Sequence, residues 1–303
     1  MPTVLRIIIY PIFAVFCLMF FSIFLFPFDG LKNRLAHEVE NELGGNYSVS
    51  IGSLSPFPMT SVILKNVEIR SRGSLENDEA SIKLPKVRLS FALFPILSGG
   101  LDLDFDIRTV QGKAIGNYFR KKVGFGLSAK MDKFDLGTVG LFIKQWGVPL
   151  SGQANGTIHL EIYQADPLRN VGTVSLTLPE LKLGAIPLGS GLSLPPMNLA
   201  QSGVIPSKID VQINHGNVEL KGIDIAGGDV ELHSDGKVYG ARMMENYRFN
   251  LKGTFKVLPE TANQIPILGI IEKQKGADGF YPFTVTGRLS KPSIRIGDFK
   301  VPI

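Results

Sequence analysis

The chain reads as a mainly β protein: an N-terminal transmembrane helix followed by a long, twisted antiparallel sheet with a few short helices. Three observations predict this. Ile7 to Phe28 is an apolar run with no charged side chain inside it. After it, short stretches in which apolar and polar residues alternate recur to the C-terminus, the period of strands with one covered face. Thirty-three glycines and nineteen prolines punctuate those stretches, as turns between strands require.

At 1.5 Å per residue the run forms a helix of roughly 33 Å, enough for a bilayer core of about 30 Å. A cleaved signal peptide carries a shorter apolar core and a small-x-small cleavage site. Here the run ends in Phe24-Leu25-Phe26-Pro27-Phe28, so residues 1–28 read as an uncleaved signal anchor and 29–303 as one exported β-rich domain. Arg6 and the α-amino group favour an inside N-terminus, against the pull of Lys32 and Arg34. The sole cysteine, Cys17, lies in the apolar run, which leaves no intrachain disulfide. The net charge of +5 is spread without a basic block, so an ordinary surface is expected and no nucleic-acid partner.

Leu31 to Leu43 places Leu31, Leu35, Val39 and Leu43 on one helical stripe, and Gly44-Gly45 supplies the stop. From Tyr47 the period becomes two: Tyr47, Val49 and Ile51 alternate with small polar residues, then a turn is expected at Pro56-Phe57-Pro58 and a second strand over Ser61–Arg70. Lys86 to Phe94 gives a third. Leu101 to Arg108 is the cleanest, with Leu101, Leu103, Phe105 and Ile107 alternating with Asp102, Asp104, Asp106 and Arg108. A helix is expected near Leu136 to Trp146, a Pro-rich loop over Ile186–Pro206 and a short helix near Ile267 to Lys275. A loose repeat, Gly followed by alternating apolar residues, begins at Gly156, Gly172, Gly216 and Gly228 and argues for a long meander with one greasy face. That face must be covered by helices, by a second sheet or by something outside the chain.

Searches for chemistry find no nucleophile elbow, P-loop, dinucleotide fingerprint or zinc-protease motif. His37, His159, His215 and His233 are scattered, and His159 and His233 near Glu161 and Glu231 suit a solvated sheet face. The Asp102, Asp104, Asp106 ladder lacks the turn a calcium loop needs and reads as a water-facing strand edge. No catalytic residue, metal site or cofactor is expected.

The stretch NYSVSIGSLSPFPMTSVILKNVEI (Asn46–Ile69), after a membrane helix and an amphipathic helix ending in Gly-Gly, resembles the opening of AsmA-like envelope proteins. FTVTGRLSKPSIRI (Phe283–Ile296) resembles their closing strand-turn through Gly287, Leu289, Pro292 and Ile294, and VPLSGQANGTIHLEI (Val148–Ile162) a strand pair in the middle. In its single anchor and compact size the chain is most similar to the type II secretion system protein N (GspN) family. The resemblance implies a single-pass protein of the inner membrane of a Gram-negative-type envelope, its AsmA-like domain periplasmic. It also implies a non-enzymatic accessory role in the type II secretion machinery, with secretion-system or envelope proteins as partners. The wider AsmA-like group implies an alternative, binding or transfer of phospholipid along a hydrophobic β-groove. Leu89, Phe91, Leu101, Leu103, Phe105 and Ile107 would line that groove here, unless they pack as a closed core under Leu136–Trp146.

Overall fold

The computed structural model describes residues 13, 28–42, 47–57, 60–71, 81–92, 100–137, 149–189, 192–201, 203 and 205–301. The expected anchor lies outside them except for Phe13 and Phe28, and among the described residues no helix is long and apolar enough to cross a membrane. Helix α1 (Phe28–Glu42) begins three residues before the stripe that predicts it.

Sixteen of the described strands form one sheet. Its first part is β1 (Tyr47–Phe57), β2 (Ser61–Ser71), β3 (Ser81–Phe91), β4 (Leu101–Arg108), β5 (Lys113–Lys121), β6 (Gly124–Asp135), β7 (Leu150–Ile162) and β8 (Val171–Leu183). Three short strands follow, β9 (Ile186–Gly189), β10 (Leu192–Leu194) and β11 (Met197–Ala200). The sheet resumes with β12 (Ser207–Asn214), β13 (Asn217–Ile225), β14 (Val230–Tyr239), β15 (Arg248–Val257), β16 (Tyr281–Arg288), β17 (Lys291–Ile296) and β18 (Phe299–Lys300). Every pairing is antiparallel, and within this sheet each strand joins the one before it in the chain, except that β11 and β12 both return to β8. β9 and β10 pair only with each other, while β11 adds to the end of β8. The expected Pro-rich loop is therefore three short strands.

Two further expectations change at the first hairpin. The strand from Tyr47 runs through Pro56 to Phe57, and β3 starts at Ser81, with Pro85 inside it. A proline in a central strand lacks a ladder donor. Pro85 falls level with Asn66, whose φ is 50°, and with Gly52. At this level all three strands carry two consecutive non-apolar residues, Gly52-Ser53, Lys65-Asn66 and Pro85-Lys86. The shared step shifts the alternation by one in each, so that Ile51, Val67 and Leu84 join Leu64 and Val87 in one buried cluster.

That cluster, joined by Leu35 and Ala36 of α1, is one of three. The second is Ala154, Leu178, Leu181 and Ala200, with Leu136 against it. The third is Met197, Ile265, Leu268, Ile271 and Tyr281. It is built by helices α2 (Pro259–Ala262) and α3 (Pro266–Ile271), which continues into a 3-10 turn over Glu272–Gln274. α3 with its extension is the helix expected from Ile267, while α2 is additional; residues 138–146 of the helix expected at Leu136–Trp146 lie outside the described residues. All three clusters lie toward the same end of the strands, where the chain carries its long connections.

Inside the third cluster Tyr281 is 6% exposed and stacks on Phe255 with ring centroids 5.2 Å apart. Burial pushes its phenol above the ordinary value of 10.0, and the carboxylate of Glu272 adds to the rise. The unfolded chain therefore loses this proton first as pH rises, so the group's contribution is intact below pH 10 and lost above it. Urea unfolding at pH 8 and pH 11 should show an alkaline loss of stability that is smaller in Tyr281→Phe.

Candidate functional site

The register of the sheet sorts its side chains into two unlike faces. One line of mutual partners runs Val62, Leu89, Phe105, Gly116, Ala129, Ile158 and Val174 across β2 to β8. It continues through Val211, Leu220, Gly236, Leu251, Val285 and Ile294 across β12 to β17. Every member is apolar or glycine. A parallel line pairs Phe91 with Leu103, then Tyr118, Leu127 and Leu160. Directly opposed residues share a face, so this one is apolar over thirteen strands. With strands about 4.8 Å apart it extends roughly 60 Å.

The six residues expected to line a groove stand on this face. Leu89 pairs with Phe105 and Phe91 with Leu103, and Leu101 and Ile107 occupy the same alternation on β4. Leu89 and Ile107 touch the first buried cluster, at the closed end of the strands. The other four are half-buried and belong to none of the three clusters. The apolar face is therefore sealed toward one end of its strands, and among the described residues no second layer covers the other end.

Two glycines show how closely the strands are fitted. The Phe105 ring lies across Gly116, where a Cβ would come 2.6 Å from Phe105 Cζ, so the aromatic fills the space the glycine leaves. Gly236 has φ 138°, a conformation side chains avoid, and a Cβ there would meet Asn250 O at 2.3 Å.

The opposite face is polar. Arg88, Asp106, Ile115, Lys130, Thr157, Ser175 and Asp210 follow one another in register, and Ser175 Oγ donates to Asp210 at 2.6 Å. The aspartate ladder belongs here, but β4 lies between β3 and β5 and is not the expected strand edge. Asn117 Nδ2 donates to Asp102 at 2.6 Å and to Asp104 at 3.0 Å. Arg108 approaches one oxygen of Asp106 at 3.4 Å, while the other is buried with no hydrogen-bond partner among the described residues.

A hollow of about 650 Å³ on this polar face is lined by Asp104, Asp106, Lys130 and His159, among others. Ser128 Oγ lies 2.7 Å from His159 Nδ1, and His159 Nε2 lies 3.9 Å from Glu161. Serine, histidine and carboxylate thus stand together. The backbone N–H groups around Ser128 lie in a paired ladder on both sides, which leaves them unsuited to form the oxyanion site that acyl transfer needs. His233 bonds Asp224 at 2.9 Å beside a second hollow of about 500 Å³. Among the described residues no three metal-capable side chains converge.

Compared with known proteins, the chain matches no protein-family model, no curated protein and no solved structure.

Proposed function

We propose that this protein is a lipid-handling module whose long apolar sheet face carries the acyl chains of phospholipid. The observation that carries this is the unbroken apolar line from Val62 to Ile294, half of which has no second layer over it among the described residues. A soluble domain rarely leaves so large an apolar surface without a partner. Each methylene of an acyl chain laid on the face contributes about 0.8 kcal/mol. The polar opposite face suits water, and the right-handed twist of a long sheet lets the apolar side wrap a chain. The resemblance of the sequence to AsmA-like proteins points the same way. In that reading residues 1–28 anchor the module in the inner membrane and the β domain works in the periplasm, without catalytic chemistry.

Native mass spectrometry of the full chain, extracted in a mild uncharged detergent, tests it. The expected spectrum carries one or more phospholipid masses on the protein. A lipid-free spectrum across several detergents overturns it; retention of a secretion component in that spectrum would instead favour the accessory role implied by the GspN-family resemblance.

A further inference from the structure

The strand ends opposite the closed end form a rim of linked turns. Gly216 N–H donates to Asn170 O at 2.9 Å, Gly240 N–H to Asn217 Oδ1 at 3.0 Å, and Leu289 N–H to Tyr247 O at 2.8 Å. Ser290 N–H reaches Glu245 O at 3.3 Å. On this rim Arg248, Arg288 and Lys291 stand side by side in register on β15, β16 and β17. Like charges directly opposite one another destabilise a sheet. Among the described residues none of the three forms an ion pair.

A local rule broken without visible compensation marks a functional position. Arg248 and Arg288 line a hollow of about 490 Å³ together with Tyr239 and Asn246. Two turns on the same rim expose apolar side chains, Met243 at 63% and Leu289 at 42%. The next register line inward, Val238, Phe249, Gly287 and Pro292, belongs to the apolar face.

We propose that the Arg248–Arg288–Lys291 ladder binds the phosphate of an anionic phospholipid headgroup presented at a bilayer surface. Adjacent guanidinium groups offer paired donors that match phosphate oxygens, and the bound charge relieves their mutual repulsion. A free phosphate ion would have no use for the exposed Met243 and Leu289. A headgroup at the membrane interface does, because apolar tips beside basic residues suit that boundary. The site stands apart from the groove reading, since a headgroup can be held at the rim with no acyl chain on the sheet.

The test titrates the full chain, in uncharged detergent at low salt, with dihexanoyl phosphatidylglycerol, dihexanoyl phosphatidylcholine and inorganic phosphate, using calorimetry. Phosphatidylglycerol is expected to bind at least tenfold more tightly than either of the others. In Arg248→Gln/Arg288→Gln that preference should disappear, while the unliganded variant melts at or above the parent temperature because two opposed charges are gone. Lys291→Gln, outside the hollow, should weaken binding about threefold and serves if the double variant fails to fold. Equal affinity for inorganic phosphate and phosphatidylglycerol would make the ligand a free ion and overturn the headgroup assignment. An unchanged preference in the variants would overturn the site. A rim failure with lipid still bound in the native spectrum leaves the groove intact, and the converse leaves the rim intact.

Discussion

Replacing Leu103 and Leu127 together with Asp is expected to strip bound phospholipid from the protein, by at least tenfold in lipid recovered per chain. The two leucines flank Tyr118 in one register line on the half of the apolar face that no second layer covers among the described residues. An acyl chain laid across them would have to desolvate two carboxylates, each costing several kcal/mol in an apolar setting. That outweighs the few methylenes that touch the site at about 0.8 kcal/mol each. Neither leucine belongs to a buried cluster, so the lipid-free variant should melt within a few degrees of the parent. The measurement is lipid extraction and quantification from equal amounts of purified parent and variant. Full lipid retention in a folded variant would sink the assignment of this face.

The largest loss of stability is expected at the closed end. Ile271→Ala removes a side chain that is 2% exposed and packed with Leu268, Ile265 and Tyr281. Truncating a buried Ile to Ala costs about 2–5 kcal/mol, through lost transfer energy and the cavity left behind. Its neighbour Ile270 is 66% exposed, and Ile270→Ala should change stability by no more than about 0.5 kcal/mol. Urea unfolding of the pair reads the contrast directly. The Ile271 variant should also be cleaved first between residues 258 and 280, where the helical cover comes loose from the Phe255–Tyr281 stack. Equal effects at the two positions would mean that α3 does not seat on the sheet as described.

Period-two alternation made most of the sheet legible, and β4 runs from Leu101 to Arg108 as its pattern predicts. Pro85 hid the first half of β3, because a proline reads as a strand breaker unless the level of Asn66 and Gly52 beside it is known. The short strands between Ile186 and Ala200 were hidden for a related reason: β11 is held by pairing with distant β8, and local propensity carries no trace of that. The glycine repeat proved heterogeneous. Gly156 lies inside β7 and Gly172 at the start of β8, whereas Gly216 and Gly228 occupy turns. The recurrence reflects period-two alternation after a glycine, not a repeated unit. The cationic ladder was invisible for want of register, since Arg248 and Arg288 are neighbours only once β15 and β16 are aligned. The aspartate ladder was legible as a polar face but not as a central strand.

The strand order has a kinetic consequence. In a meander where each strand pairs with the one before it, the loops to be closed are short, and short loops cost little entropy to close. Hairpins can therefore be added one after another as the chain emerges N-terminus first, each new strand docking on a template already formed. The return of β12 to β8 interrupts this growth, because β9 to β11 must be set aside before pairing resumes. That junction is where a slow step is expected in refolding. It also divides the molecule into an early half, begun by α1 and β1 with Glu40 accepting from the backbone N–H of Val49 at 2.7 Å, and a late half that ends in the two-residue strand β18.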